Sequence, residues 1–363
     1  MDLFQQMAGM GHERVLFCSS PAVGLRAIIA VHSTVLGPGL GGVRMWPYAT
    51  MDEALTDVLR LSRGMTYKAA AAGLNLGGGK AVIVGDPKKD KSEELLRCFG
   101  RYVESLGGLY ITAEDVGTDM EDMEQIRHET RWVTGVSPEN GGGGDPSPVT
   151  AFGVLQGIEA AVEWRFGSGS LAGRTVAVQG LGSVGYHLAS YLREAGAKVF
   201  GADIDPEVGE RARRELEVEI VPAPEILSVE CDILAPCALG AVINDATLPM
   251  LRCQVVAGAA NNQLADEEIH GQALQDRGIL YAPDFVLNAG GLINVYNELV
   301  GYHRETALRM ARGIRRNMMQ VFEIARDEAI STIAAAHRVA EQRIARVRGM
   351  RPQHWVRSIR NTR

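Results

Sequence analysis

The stretch TVAVQGLGSVGYHLASYLREAGAKVFGADID, residues 175–205, restricts the fold more than any other part of the chain. A β-branched apolar run, a glycine turn, a helical period and a second apolar run follow in the order of a strand–helix–strand unit. Gly180, Gly182 and Gly185 form GxGxxG directly after the first run. Gly180 permits a tight turn, Gly182 lets the backbone approach a pyrophosphate, and Gly185 lets helix and strand pack closely. With Leu181, Ser183 and Val184 between them, they open a helix whose free N–H groups face the phosphates. Asp203 ends the second run, 23 residues after Gly180. An acid about 20 residues on is the partner of a ribose 2′-hydroxyl and repels a 2′-phosphate, so the expected cofactor is NAD rather than NADP. Asp205 adds to that repulsion.

At 363 residues the chain exceeds one ordinary core, which implies two domains. Hydrophobic residues at 46% and charged residues at 22% belong to a soluble globular protein. A net charge of −7 argues against nucleic acid as the main partner. The seven arginines after Glu341, from Arg343 to Arg363, read as a solvated or subunit-contacting tail. Five cysteines without metal-ligand spacing imply no metal site and a reducing, cytoplasmic setting. No signal peptide and no run long enough to cross a bilayer is expected.

The glycine- and proline-rich segment SPENGGGGDPSP, residues 137–148, reads as a hinge loop. Residues 1–136 with 331–363 are assigned to one domain, and residues 149–330, where strands and helices alternate, to a parallel α/β dinucleotide-binding domain. In the first domain, GPGLGG (37–42) reads as a loop, and Thr50 with Glu53 as the start of a helix carrying Ala54, Val58, Leu61 and Met65 on one face. Two amphipathic helices after residue 303 are expected to pack back on that domain.

The segment GMTYKAAAAGLNLGGGKAVIVG, residues 64–85, holds two charges, Lys68 and Lys80, in a run otherwise suited to burial. Flanking a presumed Gly77–Gly79 turn, two ammonium groups held out of water depress each other's pKa. One can then serve as a base while the other holds an anion. YITAED supplies a carboxylate, Glu114 or Asp115, which point to opposite faces of a strand; the pattern does not choose between them.

From residue 15 to 345 the chain resembles the glutamate/leucine/phenylalanine/valine group of amino-acid dehydrogenases. The resemblance rests on LGPGLGGVRMWPY, GMTYKAAAAGLNLGGGKAVI, YITAEDVGT, GDPSPVTAFGV, VQGLGSVGYHLA, CDILAPCALGAVIND, GAANNQLAD and GILYAPDFVLNAGGLINV. It implies an α/β fold of two domains, an N-terminal substrate and oligomerisation domain and a Rossmann-type NAD domain, with the active site in the cleft between them. It also implies a homo-oligomer, octamer or dimer.

By the same resemblance Lys68 binds the substrate carboxylate, Lys80 is the catalytic base and Asp115 relays protons. Gly41 and Gly42 line the pocket, and Leu40, Ala113, Leu292 and Val295 meet the substrate side chain. Asn261 lies near substrate and nicotinamide, Thr150 touches the carboxamide, and Ala238 joins the cofactor set. Asn262 and Asn288 are read equally well as loop caps. The implied reaction is NAD-dependent oxidative deamination of an apolar L-amino acid, with branched aliphatic substrates fitting best. Aromatic amino acids are the alternative, because alanine is common at position 79 among the branched-chain enzymes whereas glycine occurs among the phenylalanine enzymes. A catalytically silent NAD sensor and a nucleic-acid role for the arginine tail are further readings, which the intact Lys68, Lys80 and Asp115 and the overall acidity oppose.

Overall fold

The computed structural model describes residues 3–238 and 240–350 and divides into two units. Of these, residues 3–144, 298–302 and 340–350 fall in the first, and residues 145–238, 240–297 and 303–339 in the second.

The first unit is built on a sheet of six strands: β1 (Arg14–Ser20), β2 (Leu25–Ser33), β3 (Gly39–Leu40), β4 (Val43–Trp46), β5 (Gly77–Val84) and β6 (Tyr110–Ile111). Their order is β1-β2-β5-β3-β6, with β4 also paired to β5. The pairs β1/β2 and β2/β5 are antiparallel, and β3, β4, β5 and β6 pair parallel. Strand alternation gives the sheet two distinct faces. Ile28, Ala30, Val82 and Val84 pack against Ala54, Leu55, Val58 and Leu59 of the helix Met51–Ala71. Leu25, Ala27, Ile29, Val43, Met45, Ala81 and Ile83 pack with Phe99 and Val103 of the helix Glu93–Ser105.

Both ends of the helix Met51–Ala71 are held. Thr50 Oγ1 accepts the Glu53 N–H at 3.1 Å while Glu53 Oε2 accepts the Ala49 N–H at 3.1 Å. At the other end Arg343 donates to the carbonyls of Ala69, Ala70, Gly73 and Leu74, with the shortest bond 2.6 Å. A cation at a helix C-terminus satisfies carbonyls that have no intrahelical partner. Arg343 is therefore a cap and no part of a free tail; Arg351, Arg357, Arg360 and Arg363 lie outside the described residues.

The second unit holds six parallel strands: β7 (Thr175–Gln179), β8 (Lys198–Ala202), β9 (Glu219–Ile220), β10 (Ile233–Pro236), β11 (Val255–Val256) and β12 (Leu280–Tyr281). Their order is β12-β11-β10-β7-β8-β9. Counted from the first strand of the unit, this is 3-2-1-4-5-6, the doubly wound dinucleotide-binding order, which reverses between β7 and β10.

Four local expectations are corrected. Gly77–Gly79 are not a turn but the first three residues of β5, and the loop at 37–42 contains β3. Instead of two helices after residue 303 there are three among the described residues, Arg304–Ala311, Gly313–Glu328 and Thr332–Met350. They do not pack back on the first unit as a whole, since residues 303–339 belong to the second and the assignment changes only at Ala340. Hydrophobic periodicity identified these helices but not the partner of their apolar faces.

Beneath the helix Met51–Ala71 lies a buried imidazole pair with ring centroids 4.9 Å apart. His12 Nε2 meets Leu59 O at 3.0 Å and Ser62 Oγ at 2.9 Å, and His32 Nδ1 meets Thr66 Oγ1 at 2.8 Å. Burial, then the neighbouring His32 and Arg63, depress the His12 pKa to about 4. The unfolded chain takes up this proton near pH 6.5 and the folded chain only near pH 4. Stability is thus complete above pH 6.5 and is lost as the pH falls through this window, by about 3 kcal/mol at most. Urea midpoints should fall between pH 7 and pH 5 in the parent and clearly less in His12→Gln; equal falls in both would exclude His12 as a cause.

Candidate active site

In the first unit the sequence-predicted residues gather around β5. Alternation places Gly78, Lys80, Val82 and Val84 on the face covered by the helix Met51–Ala71, and Lys80 is only 5% exposed. Its Nζ lies 3.1 Å from Asp115 Oδ2. Asp115 follows β6 in a turn fixed by Thr118, whose Oγ1 accepts the Asp115 N–H at 2.9 Å and donates to Val43 O at 2.8 Å. Glu114 is exposed, so the neighbour of Lys80 is Asp115. Lys68 stands in the last turn of the helix, half-buried.

Three residues that the sequence did not single out complete the cluster. Arg44 Nε donates to Asp115 Oδ2 at 2.9 Å and its Nη1 to Asp57 Oδ2 at 2.9 Å. Tyr48 Oη donates to Asp57 Oδ2 at 2.6 Å. Arg44 is in register with Val82, so alternation also puts it on the helix side, one step along β5 from Lys80. A lone arginine in the apolar strand VRMW was the signal available in the sequence.

Burial lowers the Lys80 pKa and Arg44 lowers it further, against an upward pull from Asp115. Burial pushes the Asp115 carboxyl up, but Lys80 and Arg44 together hold it below the usual carboxylate range. Arg44 is thus a cation that disfavours the Lys80 ammonium. A buried amine of depressed basicity beside an ionised carboxylate can accept a proton from water and pass it on.

The glycines here serve close packing. A Cβ on Gly41 would stand 1.9 Å from Gly79 O, and one on Gly42 2.8 Å from Asp115 Cβ. The Gly41 N–H already donates to Ile111 O at 3.2 Å, within the sheet. Leu40 lies in β3 and Ala113 just beyond β6, both buried.

In the second unit Gly180 follows β7 with φ 89° and Gly182 precedes the helix Ser183–Glu194. A Cβ on Gly185 would stand 1.9 Å from Gly180 O, which is why helix and turn require glycine there. No atom lies within 4 Å of where a Gly182 Cβ would be, so space is open beside the helix N-terminus. Leu181 is buried, Ser183 exposed and Val184 half-buried. Asp203 Oδ2 accepts the Leu181 N–H at 2.8 Å, and Oδ1 accepts the Asp205 N–H at 3.0 Å. Ala238, after β10, touches Gly180 across the point where strand order reverses. The open glycine turn, the helix N-terminus and the carboxylate at the end of β8 fit a dinucleotide.

Asn261 Oδ1 accepts from Asn288 Nδ2 at 2.9 Å, so Asn288 orients Asn261. Thr150 Oγ1 donates to Pro146 O at 2.9 Å and lies against Gly291, at the start of the helix Gly290–Glu298 that carries the buried Leu292 and half-buried Val295. Among the described residues no group of three or more His, Cys, Asp or Glu could hold a metal ion.

Two family models match the chain. The model for the Glu/Leu/Phe/Val dehydrogenase dimerisation domain matches residues 12–132, and the Glutamate/Leucine/Phenylalanine/Valine dehydrogenase model matches residues 141–207 and 205–351. Leucine dehydrogenase of Thermoactinomyces intermedius is 54% identical over 97% of this chain and 96% of that protein. Leucine dehydrogenase of Geobacillus stearothermophilus is 55% identical over 97% and 95%. The crystal structure of L-tryptophan dehydrogenase from Nostoc punctiforme superposes with a TM-score of 0.87 at 47% identity, covering 95% of this chain and 99% of that one.

Two predictions follow from the glycine and carboxylate geometry. A Cβ on Gly79 would stand 2.5 Å from Tyr110 Cδ2, so Tyr110 occupies the room an alanine needs. Gly79→Ala should cost ~1–3 kcal/mol by overpacking, and less in a Tyr110→Leu background. A double-mutant cycle measures this; additive losses would detach Gly79 from Tyr110. Asp203→Ala should weaken dinucleotide binding at this turn and shift any preference between NAD and NADP towards NADP, since an acceptor and a repulsive charge both disappear. An unchanged preference in titration calorimetry would place cofactor selectivity elsewhere.

Proposed function

Because the chain belongs to the glutamate/leucine/phenylalanine/valine dehydrogenase family, we propose that it catalyses the reversible NAD-dependent oxidative deamination of L-leucine and other branched-chain L-amino acids. The products are the 2-oxo acid, ammonium, NADH and a proton. The observation that carries this reading is the buried Lys80 ammonium 3.1 Å from Asp115.

In this reading Lys68 keeps its charge and holds the substrate carboxylate. Gly180–Gly185 and Asp203, with Thr150, Ala238 and Asn261, would hold NAD, which would supply the acceptor for the hydride of Cα. Lys80, its basicity lowered by burial, in its neutral form takes a proton from the water that attacks the imino carbon. Asp115 shuttles protons while the carbinolamine collapses and ammonia leaves. Both cations contact the same oxygen of Asp115, Oδ2, so Oδ1 is the atom available for that traffic.

Leu40, Ala113, Leu292 and Val295 are assigned to the substrate side chain. All are apolar, so a glutamate side chain would bury an unpaired carboxylate at a cost of several kcal/mol, roughly. The leucine dehydrogenases at 54% and 55% identity support the branched-chain assignment.

The dimerisation-domain match supports a homo-oligomer. The cysteines, all free, support a cytoplasmic setting, and among the described residues no helix is long and apolar enough to cross a membrane. Residues 137–148 are assigned as the joint for closure; within them Gly142 N–H donates to Ser137 O and Gly143 N–H to Glu298, at 2.9 Å each.

NADH formation is to be measured with L-leucine, L-valine, L-phenylalanine and L-glutamate. Leucine and valine should lead, and preference for phenylalanine or glutamate would overturn the substrate assignment. Lys80→Ala should lose ~10²–10⁴-fold in rate while NADH binding persists. Retention of more than about a tenth of the activity would remove Lys80 as the base.

A further inference from the structure

Arg44 is committed to two carboxylates at once. Its Nε meets Asp115 Oδ2 and its Nη1 meets Asp57 Oδ2, both at 2.9 Å, and its side chain is 23% exposed. Asp57 sits on the helix Met51–Ala71 with its side chain 15% exposed. It accepts the Tyr48 hydroxyl at 2.6 Å and lies 3.8 Å from Arg60. Charges therefore alternate inward from the helix: Asp57, Arg44, Asp115, Lys80. Neither Arg44 nor Asp57 contacts Lys80 directly, yet both lie in the low-dielectric layer between sheet and helix, where charge acts strongly over short distances.

We propose that Arg44 and Asp57 are positioning residues for the deamination. Arg44 fixes the rotamer of Asp115 through a second hydrogen bond to its Oδ2, and the Arg44–Asp57 pair sets the pH at which Lys80 becomes a base. The inference rests on Lys80 as base and Asp115 as relay.

The two residues act in opposite directions. Arg44 disfavours the Lys80 ammonium and Asp57 favours it, in addition to the larger effect of burial. Tyr48 cannot cancel this, because its phenol is pushed upward by burial and by Asp57 and stays a neutral donor. Oxidative deamination needs neutral Lys80, so kcat/KM rises with pH through the apparent pKa of that amine. Without the Arg44 charge the ammonium is stabilised and the rise moves to higher pH. Without the Asp57 charge Arg44 acts unopposed and the rise moves to lower pH.

The experiment compares pH profiles of kcat and kcat/KM for L-leucine oxidation in the parent, Arg44→Met, Arg44→Lys, Asp57→Asn and Lys80→Ala. Arg44→Met should move the acid limb upward and Asp57→Asn downward, each by on the order of one pH unit. Arg44→Lys keeps the charge but loses the fork, so its limb should stay near the parent's while kcat falls more than KM changes. Loss of packing alone would lower kcat without displacing the limbs in opposite senses. Limbs that coincide with the parent's, or that move together, would overturn the proposal. Should Arg44→Met fail to fold, the direction of the Asp57→Asn shift decides. Near-parent activity in Lys80→Ala would instead remove the base itself, and this inference with it. A dead Lys80→Ala with unshifted Arg44 and Asp57 profiles would leave the base standing and overturn the inference alone.

Discussion

The burial of one ammonium group organises the first unit. Lys80 stands in β5, bordered by β2, β3 and β4, on the face sealed by the helix Met51–Ala71. A charged amine there is tolerable only with partners, because desolvating it costs several kcal/mol, roughly. Asp115 supplies the counter-charge, and bringing Asp115 to β5 needs backbones closer together than side chains permit. Gly42 meets that need at Asp115, Gly41 at Gly79 and Gly79 at Tyr110. These three glycines are thus the steric condition for placing an ionised carboxylate 3.1 Å from a buried amine.

The same condition explains why the local reading of Gly77–Gly79 as a turn fails. Three glycines in a row favour turns when taken alone, since they enlarge the accessible backbone space. In this sheet they are extended. A Cβ on Gly77 would collide with Ser33 O, and one on Gly78 with Thr66 Oγ1. Nothing in the sequence distance between Gly78 and Thr66 announces that contact; it exists only because the helix lies across the strand. Gly180 to Gly185 were legible because strand, turn and helix are contiguous there, so a local pattern is sufficient to read them.

Legibility in the site follows the same division. Lys80 stands out as a charge in an apolar strand and Asp115 as an acid closing an apolar run, and the resemblance to the family chose Asp115 over Glu114. Arg44 carried the same signal, a single charge in VRMW, and its register with Val82 turns that signal into a position beside Lys80. Asp57 was harder to see. It lies beside a buried stripe of Ala54, Leu55 and Val58 on a helix whose opposite face is polar, where an acidic residue is ordinarily a solvated one. Arg44 Nη1 and the Tyr48 hydroxyl give it a reason to be partly buried. Helices after residue 303 were recognised by period, but their partners were not, because amphipathicity reports that a face is covered and not by what.

A charge count shows why such an arrangement suits a base. With Lys80 protonated, Lys80, Arg44, Asp115 and Asp57 sum to zero, so the resting cluster places no net charge in a poorly solvated layer. Loss of the Lys80 proton leaves one negative charge, which by itself would draw the proton back. Arg44 reduces that tendency by standing between the two carboxylates, and burial reduces it further by disfavouring the ammonium. In the proposed reaction the cation Lys68 neutralises the incoming substrate carboxylate, so substrate adds no second uncompensated negative charge that would raise the basicity of Lys80. The lysine that clamps and the lysine that accepts a proton are therefore coupled through the substrate's charge. The proposed roles differ as the settings do: Lys80 is sealed under the helix with an aspartate and an arginine, while Lys68 stands half-buried in that helix's last turn.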